Sequence, residues 1–215
     1  MPIIFECEKD QISRKPEDIT EHTKAYVGKL EPGIFNLIQQ YNIENIYTSF
    51  PEGRIRKEHL EIGGKTTIEL EQELKEKGFK ISSNAKDMLH SKDFTVLEEK
   101  EDAVLIRIKV KDLGFPNGAT TDEIYQKAEE LGLELCPAEA GPHYRLKYTD
   151  QPMGEWIRMG MKQITGRGGR PDVFRLGCAE DDGMWLNDNW AEPDDGWFPG
   201  NAFVFRLSKL KNSET

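Results

Sequence analysis

Four stretches of the chain carry residues whose types and spacing suit chemistry. Cys136 is followed seven positions later by His143, with Glu134 and Glu139 nearby in sequence. A thiol beside an imidazole can form a thiolate nucleophile, with a carboxylate such as Glu139 orienting the ring, the constellation of a hydrolase or transferase. The same residues also suit a plainer role, a small buried thiol at a helix-to-strand junction and a histidine that opens a strand. Gly63-Gly64-Lys65-Thr66 looks like the end of a phosphate loop, in which backbone N–H groups and the helix dipole cradle an anion. The full motif needs a glycine five positions before Gly64, where this chain has His59, so the segment reads as a glycine-rich turn with Thr66 as helix cap.

The third stretch is Gly166-Arg167-Gly168-Gly169-Arg170-Pro171. Its glycines would let backbone approach an anion that Arg167 and Arg170 grip, and the composition equally suits a hairpin loop. The fourth, residues 172–197, is the most distinctive. Before Trp197 it holds eight carboxylates, Asp181, Asp182, Asp194 and Asp195 among them, against the single Arg175, and Trp185, Trp190 and Trp197 are interleaved. The order of acids does not match a calcium loop, and a solvated acidic face around core indoles would explain it. Exposed tryptophans would instead make a recognition surface, the indoles giving stiff contact area and the acids selecting a protein or small ligand of basic character.

Cys7, Cys136 and Cys178 have no CxxC spacing, and the four histidines form no HxxxH pair, so no metal site and no cofactor is expected. The net charge of −10 works against binding to nucleic acid. A local basic patch from Arg54, Arg56 and Lys57, with Arg167 and Arg170, would be the route around that repulsion. The first residues lack a signal-peptide pattern and no run of about twenty apolar residues occurs, which places the protein in the cytoplasm with reduced thiols and no membrane contact.

These residues must be positioned by a recognisable set of elements. Ile34, Leu37, Ile38 and Tyr41 recur at helical spacing. Thr66 with Glu69 and Thr120 with Glu123 form capping boxes, and Ser83 can cap a helix between them. Leu70 and Leu74 face one way on the first, and Ile124, Ala128 and Leu131 form the stripe of the second before Gly132. Residues 103–111 alternate, placing Val104, Ile106, Ile108 and Val110 on one face and mostly basic residues on the other. After Pro142 the pattern is strands and turns, including 144–148, 173–176, a hairpin at Asp182-Gly183 and a last strand over 203–207.

Leu113-Gly114-Phe115-Pro116, Gly118-Ala119-Thr120-Thr121, Leu133-Glu134-Leu135-Cys136-Pro137-Ala138-Glu139 and Gly141-Pro142 together resemble a family of bacterial proteins that has no established activity. The resemblance implies a bacterial origin and assigns no functional residue. The sequence therefore predicts an α+β protein: a mixed α/β region over 1–112, then a helix and an antiparallel sheet over 113–215. Its expected role is recognition, of immunity or antitoxin type, through the acidic tryptophan edge. A Cys136–His143 enzyme and a nucleic-acid-associated protein are the alternatives.

Overall fold

Thr66 and Thr120 each open a helix as the capping boxes require. Each hydroxyl accepts the N–H of the residue three further on, and Glu69 or Glu123 reaches back to the threonine N–H at 2.7 Å. The helices they start, α1 (Thr67–Glu76) and α3 (Thr121–Glu130), bury Leu70 and Leu74, and Ile124 and Ala128, respectively. Between them, α2 (Ser83–Leu89) is capped by Ser82, one residue earlier than expected, through its hydroxyl and the Ala85 N–H at 3.0 Å.

The computed structural model describes residues 55–166, 169–180 and 183–208. The helix expected over 34–41, Cys7, Arg54, Arg167, Asp181, Asp182 and the tail from Lys209 lie outside the described residues. The strands in chain order are β1 (Ile55–Ile62), β2 (Lys80–Ile81), β3 (Glu101–Lys109), β4 (Ala119–Thr120), β5 (Leu133–Glu134), β6 (Trp156–Met159), β7 (Ile164–Thr165), β8 (Pro171–Ala179), β9 (Gly183–Trp190), β10 (Gly196–Trp197) and β11 (Ala202–Leu207). With four α-helices among the described residues and a large mixed sheet, the fold is α+β.

The main sheet runs β1-β3-β11-β6-β8-β9-β2, with β5 pairing β11 and β7 pairing β8, and β10 pairs β4 separately. It takes strands from both sides of residue 112. Most pairs are antiparallel, including the β8–β9 hairpin expected at Asp182-Gly183, whose register ends at Ala179 opposite Gly183. Two pairs are parallel, β11 with β6 and β2 with β9. The strands after residue 112 are therefore not all antiparallel, in contrast to what the pattern suggests, since β11 and β6 run parallel. Strand β3 also departs from one apolar and one basic face. It lies between β1 and β11, and Ala103 and Leu105 on one side and Ile106 and Ile108 on the other are all buried.

The largest departure is at 144–148, expected as a strand. Ala140–Lys147 is a helix, α4. Every residue from Ala140 to Leu146 is buried, so the in-and-out rhythm of a half-buried strand was never present there. Pro142 falls in the first turn, where a missing N–H costs nothing. Gly141 lies against Phe174 of β8 so closely that an added Cβ would meet that ring at 2.8 Å. Helix α4 thus lies on one face of the sheet, in contact with α1, β1, β8 and β9. On the other face α3 sets Tyr125 edge-on to Phe205 of β11, with ring centroids 6.0 Å apart.

Candidate functional site

The tryptophans are the first residues to place, because recognition through them needs open indole faces. Trp197 is buried, donating from Nε1 to the Thr121 hydroxyl at 2.8 Å and packing edge-on to Phe203. It is a core residue, in contrast to the expected docking role. Trp185 is half-buried, and only Trp190, at 52% exposure, stands largely in solvent. All four indoles of the chain carry one of its own cations: Arg175 over Trp156 at 4.3 Å, Arg158 over Trp197 at 5.4 Å, Lys80 over Trp185 at 5.3 Å and Arg170 over Trp190 at 3.9 Å. Faces already covered by internal cations have less to offer a basic partner.

The strand register shows what these cations build. On the face shared with α3, the pairing aligns Phe203 of β11, Arg158 of β6, Arg175 of β8 and Asn187 of β9 in one row across the sheet. The neighbouring row is Trp156, Gly177, Trp185 and Lys80. Gly177 is needed there: Trp156 lies directly over it, and a Cβ would come within 2.1 Å of the indole. Trp156, Arg158, Arg175, Trp185, Asn187 and Asn189 are all half-buried.

Arg158 and Arg175 are directly opposite one another on adjacent antiparallel strands, a placement in which like charges destabilise a sheet. Neither guanidinium has a carboxylate within ion-pair distance among the described residues. Arg158 reaches only the Trp156 carbonyl at 3.3 Å and Arg175 only the Asn189 amide oxygen at 3.4 Å. Both Nε atoms are buried without a partner. Burial lowers the Arg158 pKa to about 10, with the charge of Arg175 adding to the effect. Arg175 is lowered by burial too, and Asp188 opposes the shift. Two adjacent, desolvated positive charges with no carboxylate in contact are an arrangement that an anion would relieve.

The enzyme constellation is divided. His143 and Glu139 do come together, one turn apart on α4, with His143 Nε2 3.6 Å from Glu139 Oε2. Cys136 is elsewhere. Its thiol is buried, donates to the Val204 carbonyl at 3.5 Å, and is pushed by burial up to about 12. Cys136 borders a cavity with Lys92, Asp93 and Lys162, whereas His143 borders a different one with His59 and Lys65. A thiol at that pKa holds almost no thiolate at neutral pH.

The phosphate-loop resemblance also finds its donors occupied. The Gly63 N–H goes to Glu139 at 3.2 Å, the Gly64 N–H to the Leu97 carbonyl at 3.0 Å, and Lys65 pairs with Glu73. In the acidic stretch, Asp194 is exposed, while Asp195 closes a turn by accepting the Glu192 N–H at 2.8 Å. Arg56 is taken by Glu58 at 2.7 Å and Arg107 by Glu155 at 3.0 Å, so these basic residues form no free patch. Arg170 is exposed beside Trp190 at the end of the β7–β8 turn.

The sequence reading missed Trp156, Arg158 and Arg175. The available signal was an arginine set among apolar residues in two short strand segments, Trp156-Ile157-Arg158-Met159 and Val173-Phe174-Arg175-Leu176. Their adjacency depends on the strand order, which no local pattern carries. No protein-family model, no curated protein and no solved structure matches the chain.

Proposed function

We propose that the protein works by binding, and that its contact surface is the sheet face carrying Trp156, Arg158, Arg175, Trp185, Asn187 and Asn189. The observation that carries this reading is the pair of opposed guanidiniums without a carboxylate. The partner groups it fits are carboxylates or phosphates, oxyanions that a guanidinium fork binds through two parallel hydrogen bonds. Asn187 and Asn189 add neutral amide donors beside the pair, and Trp156, locked between Gly177 and Arg175, keeps the nearer guanidinium from collapsing onto the strand. This reverses the partner charge suggested by the acidic tryptophan stretch and keeps the functional class, recognition.

The free thiols of Cys136 and Cys178 suit a reducing bacterial cytoplasm. A capture role of the immunity or antitoxin kind needs only one such contact face. The net charge of −10 turns away nucleic acid at long range and leaves the face to partners that present isolated anionic groups.

The test follows the four indole N–H resonances of the full chain during titration with a glutamate-rich peptide and, separately, with inorganic phosphate. Saturable movement of the Trp156 and Trp185 signals is expected, with Arg158→Gln and Arg175→Gln each weakening binding by about tenfold or more. A lysine-rich peptide moving Trp190 instead, with no response to either anion, would return the acidic edge to first place and end this reading.

A further inference from the structure

A second concavity lies at the β1 edge of the sheet, where the chain leaves β1 and enters α1. It encloses about 290 Å³, with His59, Glu61, Lys65, Glu73, His143 and Lys147 in its lining. Glu139 holds its walls together. That carboxylate is fully buried and accepts the N–H of Gly63 at 3.2 Å and of Leu97 at 3.0 Å, tying the loop after β1 and the loop before β3 to α4. His143, only 6% exposed, sets a buried Nε2 toward Glu139, and this nitrogen makes no hydrogen bond.

The charges around the cleft do not cancel. Lys65 and Lys77 both pair with Glu73, His59 pairs with Asp102 at 2.7 Å, and Glu61 pairs with Lys100 at 2.7 Å. Lys147 has no carboxylate in contact among the described residues. Its ammonium donates to the His59 carbonyl on the outer edge of β1, which uses one of its three donors. Partial burial lowers the Lys147 pKa, and Glu58 and Asp102 pull the other way without reversing it. The cleft therefore holds, besides two lysines sharing one carboxylate, a Lys147 ammonium with no carboxylate in contact among the described residues and, next to it, a histidine backed by a buried carboxylate.

The geometry points to this cleft as a binding site for a small oxyanion, a phosphate or carboxylate group, held between Lys147 and the His143 imidazole. The Lys65–Glu73–Lys77 cluster, two ammoniums sharing one carboxylate, forms a wall of net positive charge, and Glu139 backs the imidazole. The charged and titratable groups around His143 are Glu139 at the start of α4, Glu61 on β1, Glu73 on α1, and Lys65, Lys77, Lys147 and His59. Glu61 lies close enough to feel both imidazoles. Because the anion adds a further negative charge beside His143, binding strengthens as pH falls through the imidazole range.

The experiment follows the histidine ring C–H resonances of the full chain during titration with inorganic phosphate and with acetate. Saturable shifts of His143 and His59 are expected, with affinity falling about tenfold or more in Lys147→Gln, and with the pH dependence flattened in His143→Gln. Response to phosphate alone assigns the phosphoryl class, and response to both assigns oxyanions generally. Absence of any saturable shift overturns the proposal, as does a phosphate affinity unchanged in Lys147→Gln. Lys147 is exposed at the helix end, so its variant carries the test if His143→Gln does not fold. Arg158→Gln should leave this titration untouched, which keeps it separate from the sheet face.

Discussion

Replacing Asp172 by asparagine should stabilise the protein at neutral pH, although it removes a native carboxylate. Asp172 begins the row of β8 residues under Trp190, is only 4% exposed, and has an Oδ1 with no hydrogen-bond partner. Burial, with the charge of Asp188, raises its pKa from 3.8 to about 6, Arg170 offsetting part of the rise. The native state thus holds the proton more tightly than the unfolded chain. The associated stability is complete below the unfolded value and is lost as pH climbs from about 4 through about 6. At about 1.36 kcal/mol per unit, the difference amounts to about 3 kcal/mol at full ionisation. Asparagine keeps the volume and carries no charge, so it removes that cost above the window and changes little below it. Urea denaturation of both proteins across this range supplies the test, since titrating groups not coupled to Asp172 cancel in the difference. A stability difference that does not change with pH, or a variant less stable than the parent at about pH 8, would refute the reasoning.

Two further outcomes follow from the buried groups. With its thiol raised from 9.0 to about 12, Cys136 should hold about a thousandfold less thiolate than an ordinary cysteine, and mass-mapped alkylation of the folded chain should leave it unmodified while the denatured chain reacts. Rapid labelling of folded Cys136 at neutral pH would restore the nucleophile reading. Glu139→Ala should cost about 2–4 kcal/mol by thermal or urea melts, because it leaves the Gly63 and Leu97 N–H groups buried or half-buried without acceptors. A loss under about 0.5 kcal/mol would mean that water replaces the carboxylate at no cost.

What the sequence made legible was local. Thr66 with Glu69, Thr120 with Glu123, and the β8–β9 hairpin each rest on contacts between residues a few positions apart, and the structure contains all three. Helix α4 was not legible, because 144–148 alternates in polarity while Arg145 is itself a core residue. Its guanidinium is fully buried, hydrogen-bonded to Gln151 and the Tyr148 carbonyl, and packed over the Phe79 ring at 5.0 Å. A charged residue that finds its partners inside breaks the rule that polarity marks the solvent side. The site was half legible. Glu139 and His143 are four residues apart and meet on one helix turn, whereas Arg158 and Arg175 meet only through the β6–β8 pairing. Polarity alone could not separate Trp197 from Trp190, since core and surface indoles sit in the same acidic run.

Strand β11 follows every other described strand in the chain, yet it lies inside the sheet between β3 and β6. During synthesis, the β1–β3 pair, the β6–β8–β9–β2 group and the lone β5 must wait apart, each with a raw hydrogen-bonding margin that another polypeptide could zip onto. Only when residues 202–207 clear the ribosome can the pieces be joined, with Phe203, Val204 and Phe205 as the keystone. The nascent protein is therefore most exposed to chaperones and to clumping until this strand emerges, and a ribosome stalled short of it would release a product that cannot close its own sheet.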